Sequence, residues 1–523
     1  MSVKTMIKRS KKALSIFIII GILLILAAIL FATSRYKSIH FGDARIDEII
    51  FYYTNGLADG RTDTLWQAAQ DSLLFLSITL FLISLPVFDL FRNRIKINLN
   101  LSFIGRRKKL RQINPSKISV KYKLLYAIVI FLISVWTLAS SFGIPGYIKS
   151  LGELSTVFEE NYVKPASVDL KFPEKKRNLI YIYMESMENT VASRQNGGQS
   201  DKSIIPELEQ IALNNTSFSH TKSGLGGALP ADGTTWTVGG MTAQSAGIPL
   251  KPFLGKDRND MGYFDQFLPG AYTLGEVLEK AGYNQTFVMG SDAKFGGRDK
   301  LLTQHGNYQI LDYVQAQQSG KLAPDYKVWW GYEDKKMFAY AKEEATRLSK
   351  EDAPFNLQLL TVDTHFTDGW LDETCPKPHQ NQYDNVHACS SSQVAEFVNW
   401  VQKQPFAKDT TIILTGDHLG MQTSYYDQKV TDPRYKRTIY NAFINPVIKP
   451  VKSNERLFSS FDMYPTTLAA IGVGIPGEKM GLGVNLFSDQ PTLVEQFGSI
   501  EALNDELRKR SDFYQYHLLI KND

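Results

Sequence analysis

Glu185, His365 and the adjacent pair Asp417–His418 each follow within three residues of a long apolar run, in "NLIYIYMESMEN", "FNLQLLTVDTHF" and "TTIILTGDHLG". Between the first two lies "DGTTWTVGGMT" (232–242), where Thr234, Thr235 and Thr237 crowd together beside glycines. Carboxylate oxygens with one imidazole nitrogen suit Zn²⁺ or Mn²⁺ better than Ca²⁺. Neighbours in an extended chain point to opposite faces, so Asp417 and His418 reach one ion only where the chain bends. Gly416 and Gly420 permit such a bend. A hydroxyl beside a bound cation is a nucleophile toward phosphorus or sulfur. The segment "VGGMTAQSAGIPL" can open a helix, and a helix N-terminus favours an anion. The same threonines serve equally well as helix caps, and a lone acid after a strand is often a cap too.

The elements that must position these residues are legible. Apolar runs over 178–184, 286–290, 355–362 and 410–416 read as buried strands. Helical patterns over 204–215, 273–283, 335–350 and 391–404 alternate with them. That alternation predicts an α/β fold, a mainly parallel sheet with helices on both faces. Ligands in such folds collect beyond the carboxyl ends of the strands, which is where Glu185, His365, Asp417 and His418 fall.

The remainder of the 523-residue chain frames that domain. Apolar stretches over 13–33, 72–88 and 124–143 are expected as three membrane spans. The first is too long for a cleaved signal peptide and has no small-residue cleavage site before Arg35. The loop 92–123 carries eleven basic residues and no acid. Basic loops stay cytoplasmic, so the N-terminus is expected inside and everything after 144 outside. The net charge of +5 hides this asymmetry: without the two basic segments the exported part is about −10. An acidic exported domain gives no reason to expect nucleic acid as a partner. The expected organisation is a transmembrane region 1–143, a linker 144–177 and a catalytic domain 178–523.

Five segments in order, "NLIYIYMESMENT", "DGTTWTVGGMTAQSAGIPL", "LTVDTHF", "LTGDHLG" and "SFDMYPTTLAAIGVGIPGEKMGLGVNLF", resemble the sulfatase-like branch of the alkaline phosphatase superfamily. Within it they are most similar to the membrane-bound phosphoglycerol transferases that decorate periplasmic glucans. The resemblance covers about residues 178–490. It implies an alkaline phosphatase-like α/β domain behind a helical transmembrane region. It also implies one divalent cation, Mn²⁺ first with Zn²⁺ or Mg²⁺ as alternatives, held by Glu185, Thr234, Asp417 and His418. Thr234 is implied as the nucleophile, because Thr234, Thr237 and Met241 match the family's spacing. Thr237 is implied as a substrate-contacting hydroxyl and stands as the second candidate nucleophile. His365 matches the histidine that faces the phosphate or the acceptor hydroxyl. Arg298, in "SDAKFGGRDK", matches an arginine that contacts the lipid headgroup, without the tryptophan usual before it. "WWGYEDKKMF" (329–338) resembles a further family segment, in which Trp330 and Asp334 shape the site or only pack.

The implied activity is transfer of phosphoglycerol from phosphatidylglycerol to a periplasmic glucan. It runs through a covalent threonine intermediate and releases diacylglycerol. The implied location is the bacterial inner membrane, multi-pass, with the catalytic domain in the periplasm. The alternatives are a phosphoethanolamine transferase, a lipoteichoic-acid-synthase-like enzyme, a hydrolase, and an inactive membrane sensor that keeps the fold. Cys375 and Cys389, the only cysteines, are expected to pair in an exported domain. Zinc binding with His379 or His387 is the alternative.

Overall fold

The computed structural model describes residues 3–42, 44–46, 48–50, 63–87, 119–251 and 266–520. Most of the basic loop 92–123 lies outside the described residues. The chain divides into two compact units, Met1–Asp43 with Arg61–Pro145, and Ala44–Gly60 with Gly146–Asp523.

The first unit holds the helices Val3–His40, Asp63–Ser84 and Val120–Ser141. Two stretches, Leu14–His40 and Val120–Ser141, are long and apolar enough to cross a membrane, and Ala68–Ser84 is a shorter apolar helix. Leu14, Ile18, Ile22 and Trp136 point outward although they are apolar. A bilayer accepts that arrangement and water does not.

The second unit is built on a six-stranded sheet: β1 Asn178–Met184, β2 Asn284–Met289, β3 Gln309–Leu311, β4 Phe355–Leu360, β5 Thr410–Gly416 and β6 Asn441–Ile444. The order is β3-β2-β4-β1-β5-β6. All neighbours run parallel except β5 and β6. Both faces are covered, so the strands read as unbroken apolar runs. Leu179, Tyr181 and Tyr183 of β1 enter one core with Met241, Val277 and Leu468. Ile180, Ile182 and Met184 enter the other with Leu208, Met337, Phe338 and Phe397. The short strands β3 and β6 carry too few residues to announce themselves in the sequence.

Residues 146–177 belong to the second unit. Val157–Asn161 is helical, and Phe158 is buried against Phe513 and Tyr514 at ring separations of 6.1 and 5.4 Å. The Lys171 N–H donates to the Gly474 carbonyl at 2.9 Å. Phe158 removes enough apolar surface from water to hold this segment against the body of the unit.

Candidate metal centre and its threonine

β1 and β5 are parallel, with Met184 opposite Gly416, so the next residues, Glu185 and Asp417, leave the sheet side by side. The Asp417 N–H still donates to the Met184 carbonyl at 3.1 Å. Ser186 then takes φ +55° and turns the chain. Its N–H donates to Asp417 Oδ1 at 2.9 Å, and its hydroxyl donates to Glu185 Oε1 at 2.7 Å. The His418 N–H also donates to Asp417 Oδ1, at 2.8 Å. Asp417 Oδ2, by contrast, is buried and receives no hydrogen bond among the described residues. Gly416 helps by close approach rather than left-handed backbone: a Cβ there would sit 2.0 Å from the Met187 carbonyl oxygen.

Glu185, Asp417 and His418 are all buried, and one ligand atom from each falls within 4.8 Å of the others. His418 Nδ1 lies 2.7 Å from the Leu419 carbonyl oxygen. The proton therefore belongs on Nδ1, and Nε2 is left with a lone pair, as metal-binding histidines require. That Nε2 faces Glu185 Oε1 and Asp417 Oδ2, each at 3.4 Å.

The electrostatics fit a cation. Burial works to raise Glu185, but His418 and His365 outweigh it and hold the carboxyl well below its ordinary range. Burial, then the charge of Glu185, pushes Asp417 up to about 8. Burial disfavours charge on His418, yet Asp417 and Glu185 raise it to about 10. Two inward carboxylates and one imidazole thus compete for one positive charge, which a divalent cation supplies better than a proton. The orphaned Asp417 Oδ2 and the bare His418 Nε2 point at the same spot.

Thr237 is the first residue of the helix Thr237–Ala246. Its hydroxyl donates to Glu185 Oε2 at 3.1 Å and stands 3.5 Å from His418 Nε2. The helix is pinned there from behind. A Cβ at Gly240 would lie 2.1 Å from the Asp417 carbonyl oxygen. Gln244 donates to the carbonyls of Gly416 and Asp417, at 2.9 and 3.3 Å, and accepts from the Tyr181 hydroxyl at 2.8 Å.

Thr234, expected as ligand and nucleophile, is not brought to this cluster. Its hydroxyl donates to the Ala231 carbonyl at 2.9 Å and is fully buried. The turn 231–234 closes on itself before the helix begins, so the residue at the helix start faces the carboxylates instead.

His365 arrives from the loop after β4. The Thr364 hydroxyl donates to the Glu185 carbonyl at 2.5 Å, and the Tyr383 hydroxyl donates to the Thr364 carbonyl at 2.6 Å. Burial holds the His365 imidazole below its usual range, against the pull of Glu185. Its Nδ1 lies 2.7 Å from the Phe366 carbonyl oxygen, which leaves Nε2 able to accept a proton. Arg298 begins the helix Arg298–Gln304 and is buried. It donates from Nε to the Phe295 carbonyl and from Nη2 to the Asp292 carbonyl, at 3.0 and 2.7 Å.

Asp334 accepts from the N–H groups of Val362 and Asp363, at 2.7 and 3.1 Å, at the root of the His365 loop. Burial pushes its carboxyl up to about 7. Cys375, farther along that loop, is joined as a disulfide to Cys389 of the helix Gln382–Gln402, which leaves no thiolate for His379 or His387.

Ser186, Thr361, Thr364 and Gln244 were not legible as site residues. Each acts by bonding a backbone group or a carboxylate of the cluster, as the Glu185 N–H does in donating to Thr361 Oγ1 at 2.9 Å. Only the small polar residue directly after Glu185 hinted at this.

The sulfatase family model matches residues 177–473, more than half of the chain. Phosphoglycerol transferase I of Salmonella paratyphi B is 34% identical over 277 residues, covering 51% of this chain. The match spans only 34% of that relative's own length. Among solved structures, an alkaline phosphatase superfamily protein from Vibrio parahaemolyticus is 20% identical with a TM-score of 0.46, covering 65% of this chain and 77% of its own. The lipoteichoic acid synthase from Listeria monocytogenes is 17% identical with a TM-score of 0.47, covering 64% and 80%. With the family match running from the first residue before β1 to beyond the Asp417–His418 pair, the chain belongs to the sulfatase family.

Proposed function

We propose that this chain is a cation-dependent phosphotransferase that moves a phosphoglycerol group from phosphatidylglycerol to a hydroxyl of a periplasmic glucan, with Thr237 as the transient carrier. One observation carries the reading: a helix-initial threonine hydroxyl, 3.1 Å from Glu185 and 3.5 Å from His418, at a buried three-residue cation site. Relatives named phosphoglycerol transferase I supply the phosphoglycerol part. Two helices able to cross a membrane suit a lipid donor. A net acidic exported domain suits a neutral sugar acceptor. The proposed setting is a multi-pass inner-membrane protein with this domain in the periplasm.

Glu185, Asp417, His418 and Thr237 would hold the cation, Mn²⁺ first with Zn²⁺ or Mg²⁺ as alternatives. When bound, it lowers the charge barrier at the phosphoryl oxygens and favours the ionised hydroxyl. Thr237 Oγ1 forms a bond to phosphorus while the bond from phosphorus to the diacylglycerol oxygen breaks. The threonine proton leaves with diacylglycerol. A sugar hydroxyl then attacks phosphorus, the bond to Thr237 breaks, and His365 Nε2 accepts the sugar's proton and passes it on to restore the Thr237 hydroxyl. N–H groups at the start of Thr237–Ala246 stabilise the phosphoryl oxygens. Arg298 holds the headgroup side.

The test is mass spectrometry of the peptide bearing residues 232–242 after incubation with phosphatidylglycerol and Mn²⁺. The expected result is one added glycerol phosphate on Thr237. The same adduct on Thr234 would move the carrier. Labelling by phosphatidylethanolamine in its place would make the chain a phosphoethanolamine transferase. No adduct from either lipid in metal-loaded protein would sink the proposal.

A further inference from the structure

Trp330 packs beside His365 on a turn that few bulky residues adopt. Val328 and Gly331 exchange both backbone hydrogen bonds, at 2.8 and 2.9 Å, so Trp329 and Trp330 are the two central residues of a tight hairpin turn. Two-residue hairpin turns favour Asn, Asp and Gly, because at least the first central residue must take φ above zero. Here Trp329 takes φ +55°. Left-handed backbone at a bulky residue costs about 1 kcal/mol or more and persists where its surroundings enforce it.

The enforcement is visible. Gly331 pairs with Ser291, and the Tyr332 N–H donates to the Gly290 carbonyl at 2.8 Å. A Cβ at Gly331 would lie 2.2 Å from that same carbonyl oxygen. Gly290 and Ser291 directly follow β2, so the hairpin is bolted to the carboxyl edge of the sheet, the edge that carries His365. Trp330 reaches over His365 with ring centroids 4.7 Å apart, and over Phe295 at 5.2 Å. Phe366 stacks on His365 from its own side at 4.7 Å. The Trp330 ring is half-buried, and its indole N–H is buried without an acceptor among the described residues.

We infer that Trp330 is the acceptor-side specificity residue of this site, presenting the exposed part of its indole face to the pyranose ring of a sugar beside His365. The inference rests on the transferase reading for its context, but its physics is independent. An indole face packs against the C–H face of a pyranose. A diacylglycerol phosphate headgroup offers neither a ring face nor a rigid hydroxyl array.

The test uses the full-length protein with Thr237→Ala, so that no turnover intervenes, and compares Trp330, Trp330→Ala and Trp330→Phe. Two probes are titrated separately by calorimetry, a soluble linear β-glucose oligosaccharide and glycerol 3-phosphate. Trp330→Ala is expected to weaken the oligosaccharide about tenfold more than glycerol 3-phosphate, with Trp330→Phe recovering most of that difference. Equal weakening of both probes, or a larger effect on glycerol 3-phosphate, would place Trp330 on the donor side and overturn the inference. Unchanged oligosaccharide binding in Trp330→Ala, with circular dichroism unaltered, would overturn it too, as would no measurable oligosaccharide binding with Trp330 intact. The adduct experiment above fails or succeeds separately from these titrations, so the two readings are distinguishable.

Discussion

The Thr237 hydroxyl donates to Glu185 Oε2 across 3.1 Å although the two residues are 52 positions apart in the chain. Glu185 is fixed by the end of β1 and Thr237 by the start of a helix that leans on β5. Their contact exists only because both elements abut the same strand end at Asp417.

Removing the Thr237 hydroxyl should therefore abolish transfer. Thr237→Ala is expected to lower the rate by on the order of 10³ or more, measured as labelled glycerol phosphate moving from lipid to glucan. Thr234→Val should instead cost about 1 kcal/mol of stability through its lost bond to the Ala231 carbonyl. A Thr234→Val enzyme as dead as Thr237→Ala would contradict this geometry.

Cation binding should stabilise the fold, because a buried charge cluster is neutralised in the folded state alone. At a hundredfold excess over its dissociation constant, Mn²⁺ should add about 2.7 kcal/mol. Differential scanning fluorimetry reads this as a rise in Tm that EDTA reverses. Asp417→Asn should lose most of the rise, since Oδ2 faces His418 Nε2 and receives no hydrogen bond among the described residues. A Tm rise as large in Asp417→Asn as in the parent protein would argue against the site.

Gly240→Ala probes the helix seating. Its Cβ would fall 2.1 Å from the Asp417 carbonyl oxygen, so the helix must shift away from β5. Overpacking of this kind costs about 1–3 kcal/mol. Activity should fall further than stability predicts, because the shift carries Thr237 away from Glu185. Comparing urea midpoints with transfer rates separates the two effects.

Asp334→Ala should loosen the His365 loop. It leaves the buried N–H groups of Val362 and Asp363 unpaired, at about 1–3 kcal/mol each. Hydrogen exchange over residues 361–370 should accelerate, while exchange at Glu185 and Asp417 changes less. Equal acceleration across both regions would mean a global loss of stability instead.

His387 gives a pH signature away from the metal centre. It is buried against Tyr383 and Tyr425, with Nε2 3.4 Å from the Tyr426 hydroxyl. Burial holds it down to about 3 from 6.5, with Asp384 raising it and Lys429 lowering it. In the unfolded chain it takes up a proton near pH 6.5, and in the folded chain only near pH 3. Its contribution is therefore intact above pH 6.5 and is lost as pH falls toward 3, by at most about 1.4 kcal/mol per pH unit. His387→Gln should flatten that part of the urea-midpoint profile, and an unchanged slope would refute the assignment.

Much of the site was legible because parallel strands deliver their next residues to one edge. β1 and β5 were readable as apolar runs, so Glu185 and the Asp417–His418 pair were readable as neighbours. The choice between Thr234 and Thr237 was not. The family's spacing favoured Thr234, and the difference lies in where a loop closes and a helix begins, which depends on Gly240 and Gln244 meeting the end of β5. Trp330 read as packing for the same reason, since its hairpin is set by a bridge to Ser291 rather than by local pattern.

Hydrophobic periodicity and charge placement, properties of the chain itself, determined the α/β scaffold, the apolar N-terminal helices and which acids and imidazoles would share an edge. Contacts between segments far apart in sequence decided which hydroxyl faces the carboxylates, which carboxylate oxygen is left without a donor, and which aromatic ring covers His365. Those outcomes turn on ångström-scale packing at a helix start and a two-residue turn, where neighbouring residues of the same type differ only in direction.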